Sequence, residues 1–460
     1  MNRNNFLPHV ALALVLILVA AFAGQVRNWQ RNWHRRKHVE ITIPPPRPAE
    51  PATAESAEVF VRFRPGVSEE KIQSITERLH DMVEDQTEAV SGLNLIEDED
   101  GKDADTVIAE YSALPEVEYA EKVYKIQLEE TGDRSEPVLP NDPRFSEQWA
   151  LANDGQNGGT RGADIRAVGA WATTTGSNKV VVAVLDSGVD YTHPDLITNI
   201  WKRPEIIKEY EDRNLGTIDD IHGYNALDND ADPMDQNGHG THCAGIIGAE
   251  GGNNEGITGV NWTVQIMPLK FMDANGSGTT KDAIEAINYV IDRRKAGVNV
   301  RIISASWGST QKSRALEDVI KEAYEAGILF VAAAGNASVD NDKSPHYPSS
   351  YNVGNVISVA ALDRNDQLTS FSNFGARTVH LGAPGKDILS TWLNHEFKMA
   401  SGTSMATPVV AGVAGLMLSQ NPNMSVDELR RHLLDSVDKL PALKTKVATG
   451  GRINAAKAVG

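Results

Sequence analysis

The sequence predicts an α/β protein in which a parallel sheet is flanked by helices on both faces, preceded by a small α+β unit. Three observations carry this. Beyond residue 141, short unbroken apolar runs rich in β-branched residues have the composition of strands buried on both faces. These runs alternate with segments of helical period, the pattern of parallel strands joined by helices. Residues 58–128 are organised differently, with short strand-like and helical stretches in a compact unit.

In that small unit, Glu58–Phe63 alternates as a strand. Ser68, with Glu70 and Lys71, opens a helical stretch to about Met82. Gly92–Ile96 is a second short strand, Thr106–Ser112 a second helix, and Val117–Leu128 the last strand, a β-α-β-α-β order. Residues 129–140 are polar and contain Gly132, Pro137 and Pro140, so they read as a linker. In residues 141–460 the strands are Lys179–Leu185, Val264–Phe271, Val300–Ser306, Ile328–Ala334 and Val356–Ala361. Helical period marks Asp282–Arg294, Ala315–Ala326 and Thr407–Ser419, and Ser425 with Glu428 forms a capping box for a final helix.

At 460 residues and 41% hydrophobic, the chain can bury a full core. Its single cysteine, Cys243, excludes an intrachain disulfide. The net charge is −18, concentrated in residues 58–140, where 22 acidic residues face 8 basic ones. A nucleic-acid partner is not expected from such a chain. Val10–Ala23 is an apolar run of 14 residues, short for a membrane span and suited to a signal peptide cleaved after Ala21-Phe22-Ala23. Arg27, Arg31, Arg35, Arg36 and Lys37 follow it, a charge order that hinders export and makes an uncleaved membrane anchor the rival. The expected organisation is 1–23 signal or anchor, 24–57 basic then Pro-rich linker, 58–128 small unit, 129–140 linker and 141–460 main domain.

Four positions carry chemistry, and each alone also has a plain structural role. Asp186 directly follows Lys179–Leu185, at the sheet edge where functional groups collect; an acid before Ser187-Gly188 also suits a turn. His239 lies in Asn237-Gly238-His239-Gly240-Thr241-His242-Cys243, whose glycines admit another backbone. His239 and His242 form an H-x-x-H pair, but no Glu lies between them and no third zinc ligand is evident, so a general base is the better reading. Ser404, in Gly402-Thr403-Ser404-Met405-Ala406-Thr407-Pro408, falls at the start of a helix that Pro408 tolerates in its first turn. Helix N-termini favour negative charge, although a serine there also serves as a cap. Asn336 closes Ala332–Asn336, where its amide either caps a turn or donates to a tetrahedral intermediate.

Together, Asp-Ser-Gly at 186–188, His-Gly-Thr-His at 239–242, Ala-Ala-Gly-Asn at 333–336 and Gly-Thr-Ser-Met-Ala-Thr-Pro at 402–408 resemble the motifs of the subtilases, in that family's order Asp, His, Ser. The resemblance covers residues 141–460, including the ending Gly451-Arg452-Ile453-Asn454. It is nearest to the thermitase and proteinase K branches, where a cysteine such as Cys243 also follows the histidine motif. It implies a subtilisin-like fold and a serine endopeptidase, with Ser404 as nucleophile, His239 as general base, Asp186 orienting it, and Asn336 with the Ser404 N–H as oxyanion donors. It further implies that residues 58–128 are a ferredoxin-like propeptide, chaperone and inhibitor of this chain, removed by self-cleavage. The partners implied are protein or peptide substrates and this propeptide, with membrane association through the N-terminus as a further possibility.

The same resemblance implies a substrate-pairing edge at Gly276, Ser277 and Gly278 and pocket walls at Ser306, Trp307, Gly308, Ala333 and Gly335. Small residues and no carboxylate in those walls favour an apolar or aromatic side chain before the cut, and Asn341-Asp342-Lys343 lies in a longer loop near one wall. Structural calcium is implied at Asp142, Asp195, Asn253 and the carbonyls of Glu250, Glu255 and Ile257. Asp228, Asp230 and Asp232, within Asp228–Asp235, are a second calcium candidate or a solvated acidic loop. His380 stands where many family members carry a calcium-binding Asp, which argues against a site there. Cys243 reads as a buried thiol behind His239, against a reactive one. The rival functions are a membrane-tethered processing protease of narrow specificity and an inactive binding protein of the same fold; the intact set of four motifs argues against the latter.

Overall fold

The structure, a computed structural model, describes residues 57–86, 92–123, 139–212 and 216–460. The expectations for the signal segment, the basic and Pro-rich linker, residues 124–128 of the last small-unit strand and most of the second linker lie outside them. Two compact units divide the chain, residues 1–130 and 131–460.

The first unit contains β1 (Glu58–Phe63), α1 (Glu69–Leu79), β2 (Asp81–Gln86), β3 (Leu93–Asp98), α2 (Ala104–Ser112) and β4 (Val117–Lys122). Its antiparallel sheet has the order β2-β3-β1-β4. This is the β-α-β-β-α-β arrangement of ferredoxin-like units, one strand more than the sequence indicates. The first helix ends at Leu79, because His80 takes the left-handed conformation at φ 61° and caps it. The chain then turns straight into β2, whose residues Asp81-Met82-Val83-Glu84-Asp85-Gln86 are too acidic to read as a strand. Ser68 caps the start of α1 as expected, accepting from the Lys71 N–H. Val59, Val61, Phe63, Ile96, Val107 and Tyr111 form the core of the unit.

The second unit is built on β5 (Gly176–Asp186), β6 (Tyr224–Asn225), α3 (His239–Gly248), β7 (Thr263–Lys270), α4 (Thr280–Lys295), β8 (Val300–Ala305), α5 (Arg314–Glu325), β9 (Leu329–Ala333), β10 (Val356–Leu362), β11 (Leu381–Pro384), β12 (Ile388–Trp392), β13 (Glu396–Ala400), α6 (Thr403–Gln420), α7 (Val426–Asp435), β14 (Val437–Lys439) and β15 (Gly451–Ile453). The nine-stranded sheet runs β14-β15-β11-β10-β9-β8-β5-β7-β6. Only the terminal pair β14-β15 is antiparallel. β5 shows why these strands read as unbroken apolar runs. Val180, Val182 and Val184 enter the core on one face, and Val181, Ala183 and Leu185 enter the core on the other. Helices α3, α6 and α7 cover the first face; α4 and α5 cover the second. α6 is buried on nearly every side, as a helix apolar all round must be. Thr279 and Asp282 form a capping box at the start of α4, and Arg293, Arg294 and Lys295 face its negative end.

This arrangement brings the carboxyl ends of β5, β8 and β9 together, where Asp186, Ser306 and Asn336 lie. Among the described residues no helix is long and apolar enough to cross a membrane.

Candidate active site

Asp186 is the last residue of β5 and only 1% exposed, whereas the His239 side chain is 32% exposed at the start of α3. Their approach depends on Gly240: a Cβ there would lie 2.0 Å from the Gly188 carbonyl oxygen and 3.1 Å from the Asp186 Cβ. With no side chain in the way, His239 Nδ1 reaches Asp186 Oδ1 at 2.7 Å. Burial opposes a charge on the imidazole, but the charge and hydrogen bond of Asp186 outweigh it, so the His239 pKa lies above its ordinary value. Asp186 Oδ1 also accepts from the Ser187 N–H at 2.8 Å.

Asp235 holds the loop that presents His239. It is 4% exposed and accepts five hydrogen bonds. Its Oδ1 takes the Ser187 hydroxyl and the N–H groups of Asn237 and Gly238. Its Oδ2 takes the N–H and hydroxyl of Thr241. One carboxylate thus joins the segment after Asp186 to the first turn of α3. In the sequence Asp235 is only the last acid of an acidic stretch, and nothing local distinguishes it.

Ser404 is the second residue of α6, which begins at Thr403, four residues earlier than its helical period indicates. Pro408 therefore sits beyond the first turn. Lacking an N–H, it cannot bond the carbonyl four residues back, which is that of Ser404. That freed carbonyl instead accepts from the Ser306 hydroxyl at 2.8 Å and from the Cys243 thiol at 3.5 Å. The Ser404 hydroxyl donates to the Ser306 carbonyl at 3.0 Å. Asn336 Oδ1 accepts from the N–H and hydroxyl of Thr403 at 2.8 and 2.9 Å, which directs its Nδ2 away from the helix. A Cβ built on Gly402 would lie 3.4 Å from that Nδ2 and 3.5 Å from the Ser404 N. Two N–H donors therefore border a space that only a glycine leaves empty, which suits an oxyanion.

The zinc alternative does not fit the ring chemistry. His242 is buried and its Nε2 donates to the carbonyls of Ile388 and Lys398, tying α3 to the hairpin β12-β13. Burial pushes its pKa down to about 4. Asp186, His239 and Cys243 do place potential ligand atoms within 4.8 Å of one another. Burial pushes the Cys243 thiol well up, and the Asp186 and His239 atoms of that group already bond each other at 2.7 Å. Cys243 is the buried thiol the sequence indicates.

Gly276, Ser277 and Gly278 are exposed on a tight turn braced by Asp273, with Gly276 at φ 74°. An open cleft beside His239 is lined by Gly276, Ser306, Trp307 and Gly308. Trp307 is fixed by its Nε1 bond to the Leu185 carbonyl at 2.9 Å. Ala333 ends β9 and Gly335 follows it, and Asn341, buried in the longer loop, braces them by donating to the Ala334 carbonyl at 2.8 Å. A Cβ on Gly308 would lie 2.2 Å from His346 Cε1, and one on Gly335 would lie 3.0 Å from His346 Cδ2. One imidazole therefore lies against both segments read as pocket walls. His346 lies in the loop after Gly335, where no motif marks it.

Of the two oxygen clusters, one is buried. Asp142 and Asp195 are 5% and 0% exposed, and among the described residues neither forms a salt bridge. Burial, with the charges of Asp142 and Glu255 adding to it, pushes the Asp195 carboxyl up to about 7. Asp142 Oδ2 accepts from the Gly252 N–H, but its Oδ1 is buried without a partner. Asn253 donates to Asp195 Oδ1, and the Ile257 N–H donates to Oδ2, so the loop carrying Glu250, Asn253, Glu255 and Ile257 wraps these two acids. An orphaned carboxylate oxygen among hard oxygen donors fits a divalent cation such as calcium. Asp228, Asp230 and Asp232 are exposed and bond elsewhere. The first two share the Asn225 amide, and Asp232 accepts from the Tyr191 hydroxyl. They stabilise their own loop. His380 faces the Arg430 guanidinium at 2.9 Å, and burial with that charge pushes its pKa down to about 3, so a cation is disfavoured there.

Residues 177–453 match the family described as "Subtilase family". The chain is 36% identical over 403 residues to the "Thermophilic serine proteinase" of Bacillus sp. strain AK1, covering 87% of each. It is 37% identical over 320 residues to "Thermitase" of Thermoactinomyces vulgaris, covering 70% of this chain and 99% of the relative. A solved protease structure from Pseudoalteromonas arctica PAMC 21717 superposes with a TM-score of 0.58 at 28% identity, covering 70% of this chain and 99% of the other. With the Asp186–His239 pair and Ser404 at one edge of a parallel sheet, these likenesses lead to one conclusion: the chain belongs to the subtilase family of serine endopeptidases.

Proposed function

We propose that this chain hydrolyses internal peptide bonds through an acyl-enzyme formed on Ser404, with His239 as general base, Asp186 as its orienting partner, and Asn336 with the Ser404 N–H as oxyanion donors. The 2.7 Å Asp186–His239 bond carries the reading, because it fixes the tautomer that leaves Nε2 free to take a proton. A substrate strand pairing with residues 276–278 and 306–308 adds to the cleft as an extended segment. Its own N–H groups would compete for the Ser306 carbonyl, which the Ser404 hydroxyl now holds. Released, that hydroxyl attacks the scissile carbonyl carbon while its proton passes to His239. The oxyanion takes hydrogen bonds from Asn336 Nδ2 and the Ser404 N–H. Collapse breaks the C–N bond, and His239 returns the proton to the leaving amine. Water then repeats the sequence on the acyl-enzyme and releases the acid.

Calcium is the structural cofactor of this reading. Asp142, Asp195, Asn253 and the carbonyls of Glu250, Glu255 and Ile257 would hold it, and it would neutralise two buried carboxylates. The chain is read as exported, with residues 58–128 as a propeptide that assists folding and blocks the cleft until self-cleavage near residues 124–138. Intact mass of a Ser404→Ala chain, made in a host lacking other subtilases, tests this. That chain should keep residues 58–123 while the unaltered chain loses them; maturation of the Ser404→Ala chain would contradict self-processing.

A further inference from the structure

The two segments read as pocket walls, 306–308 and 333–335, each carry a glycine where they face His346. A Cβ on Gly308 would lie 2.2 Å from Cε1, 2.6 Å from the Tyr347 carbonyl oxygen and 2.8 Å from Nδ1; one on Gly335 would lie 2.5 Å from Asn373 Nδ2, 3.0 Å from Cδ2 and 3.1 Å from Cγ. Opposite edges of one imidazole thus touch both walls. The ring lies against the space each missing side chain leaves, beside the Tyr347 carbonyl at Gly308 and the Asn373 amide at Gly335.

The ring is held there by its backbone. Tyr347 and Ser309 exchange two hydrogen bonds of 2.8 Å, which fasten the segment to the first wall. The His346 carbonyl accepts from the Ser350 N–H and the Ser349 hydroxyl, and the His346 N–H donates to the Ser350 hydroxyl. Nδ1 is buried without a partner, as expected for an atom wedged against Gly308. Burial holds the ring's pKa below its ordinary value, with the Ala333 backbone opposing. The open cleft beside His239 is lined by Gly276 and by 306–308, the first of the two segments.

From this geometry we infer that His346 fills the primary specificity pocket and restricts the residue before the scissile bond to a small side chain such as Gly, Ala or Ser. The inference rests on reading 306–308 and 333–335 as the walls of that pocket. The ring acts by the space it takes between the two segments, so size is the selecting property. Each methylene that does not fit costs about 10-fold or more in kcat/KM.

The test compares the mature enzyme on matched peptide amides that differ only in the residue before the cut. The unaltered enzyme should cleave after Ala at least about 10-fold more efficiently than after Phe. His346→Gly should shift that ratio toward Phe by at least about 10-fold, and Gly308→Val added to it should shift the ratio back. Equal or better cleavage after Phe by the unaltered enzyme overturns the inference, and this measurement needs no variant to fold. If in that case the Gly308→Val step still moves the ratio, the walls stand and only the plug is wrong. If neither substitution moves it, the assignment of the walls fails as well.

Discussion

A methyl group on Gly402 would sit between the Asn336 amide and the Ser404 N–H, 3.4 and 3.5 Å from the two donors. Gly402→Ala should therefore lower kcat by blocking the oxyanion, and Asn336→Ala should lower it by removing a donor, about 10²–10³-fold for one lost donor. Steady-state kinetics on a peptide amide checks both; a change confined to KM would contradict the assignment. Because Asp186 holds the His239 pKa above its ordinary value, the neutral base appears only at higher pH than a free imidazole would give. Asp186→Asn should move the acid limb of kcat/KM to lower pH while reducing the rate. An unmoved limb would mean that the limb reports another group. Residues at this scale were legible where a short motif carries them, as with Asp186, His239, Ser404 and Asn336. Asp235 and His346 were not, because no motif marks their contacts: Asp235 holds Ser187 and the turn 237–241, and His346 lies against Gly308 and Gly335.

At the scale of elements, Pro408 explains a coupling that its motif hides. By leaving the Ser404 carbonyl without a helical partner, it lets Ser306 and Cys243 brace the serine from two other elements. The helix α3 was not legible, since His239–Gly248 is buried nearly all round and shows no amphipathic period. β2 was missed for the opposite reason, an acidic composition. That strand places Asp81 directly opposite Asp98 of β3, both buried. Burial, with the neighbouring Asp98 carboxyl adding to it, raises Asp81 from 3.8 to about 6. A carboxyl raised in the folded state adds stability that is complete below pH 3.8 and lost as pH rises through about 6. The small unit should thus lose on the order of 2 kcal/mol between pH 4 and pH 7. Urea unfolding of the Ser404→Ala chain across that range should show it, and Asp81→Asn should flatten the dependence. An unaltered slope in Asp81→Asn would place the titration elsewhere.

At the scale of the molecule, the parallel sheet, the order of its motifs and the division into a small acidic unit and a large α/β unit were all readable, because buried strands and glycine-bounded motifs are local signals. With one cysteine, the large unit has no disulfide to hold the loop 250–257 against Asp142 and Asp195. Calcium removal by a chelator should lower its Tm by several degrees or more, and added calcium should restore it, following the linkage between binding and folding. Asp142→Ala should have a low Tm that no longer responds to calcium; a full response in that variant would place the ion elsewhere.

The most direct test of the central claim is mass spectrometry of the mature protein after reaction with a fluorophosphonate. One adduct on the Ser404 peptide, absent in Ser404→Ala and slowed strongly in His239→Ala, is the predicted result. Labelling of a different serine, or peptide hydrolysis that survives Ser404→Ala in protein free of other proteases, would contradict it.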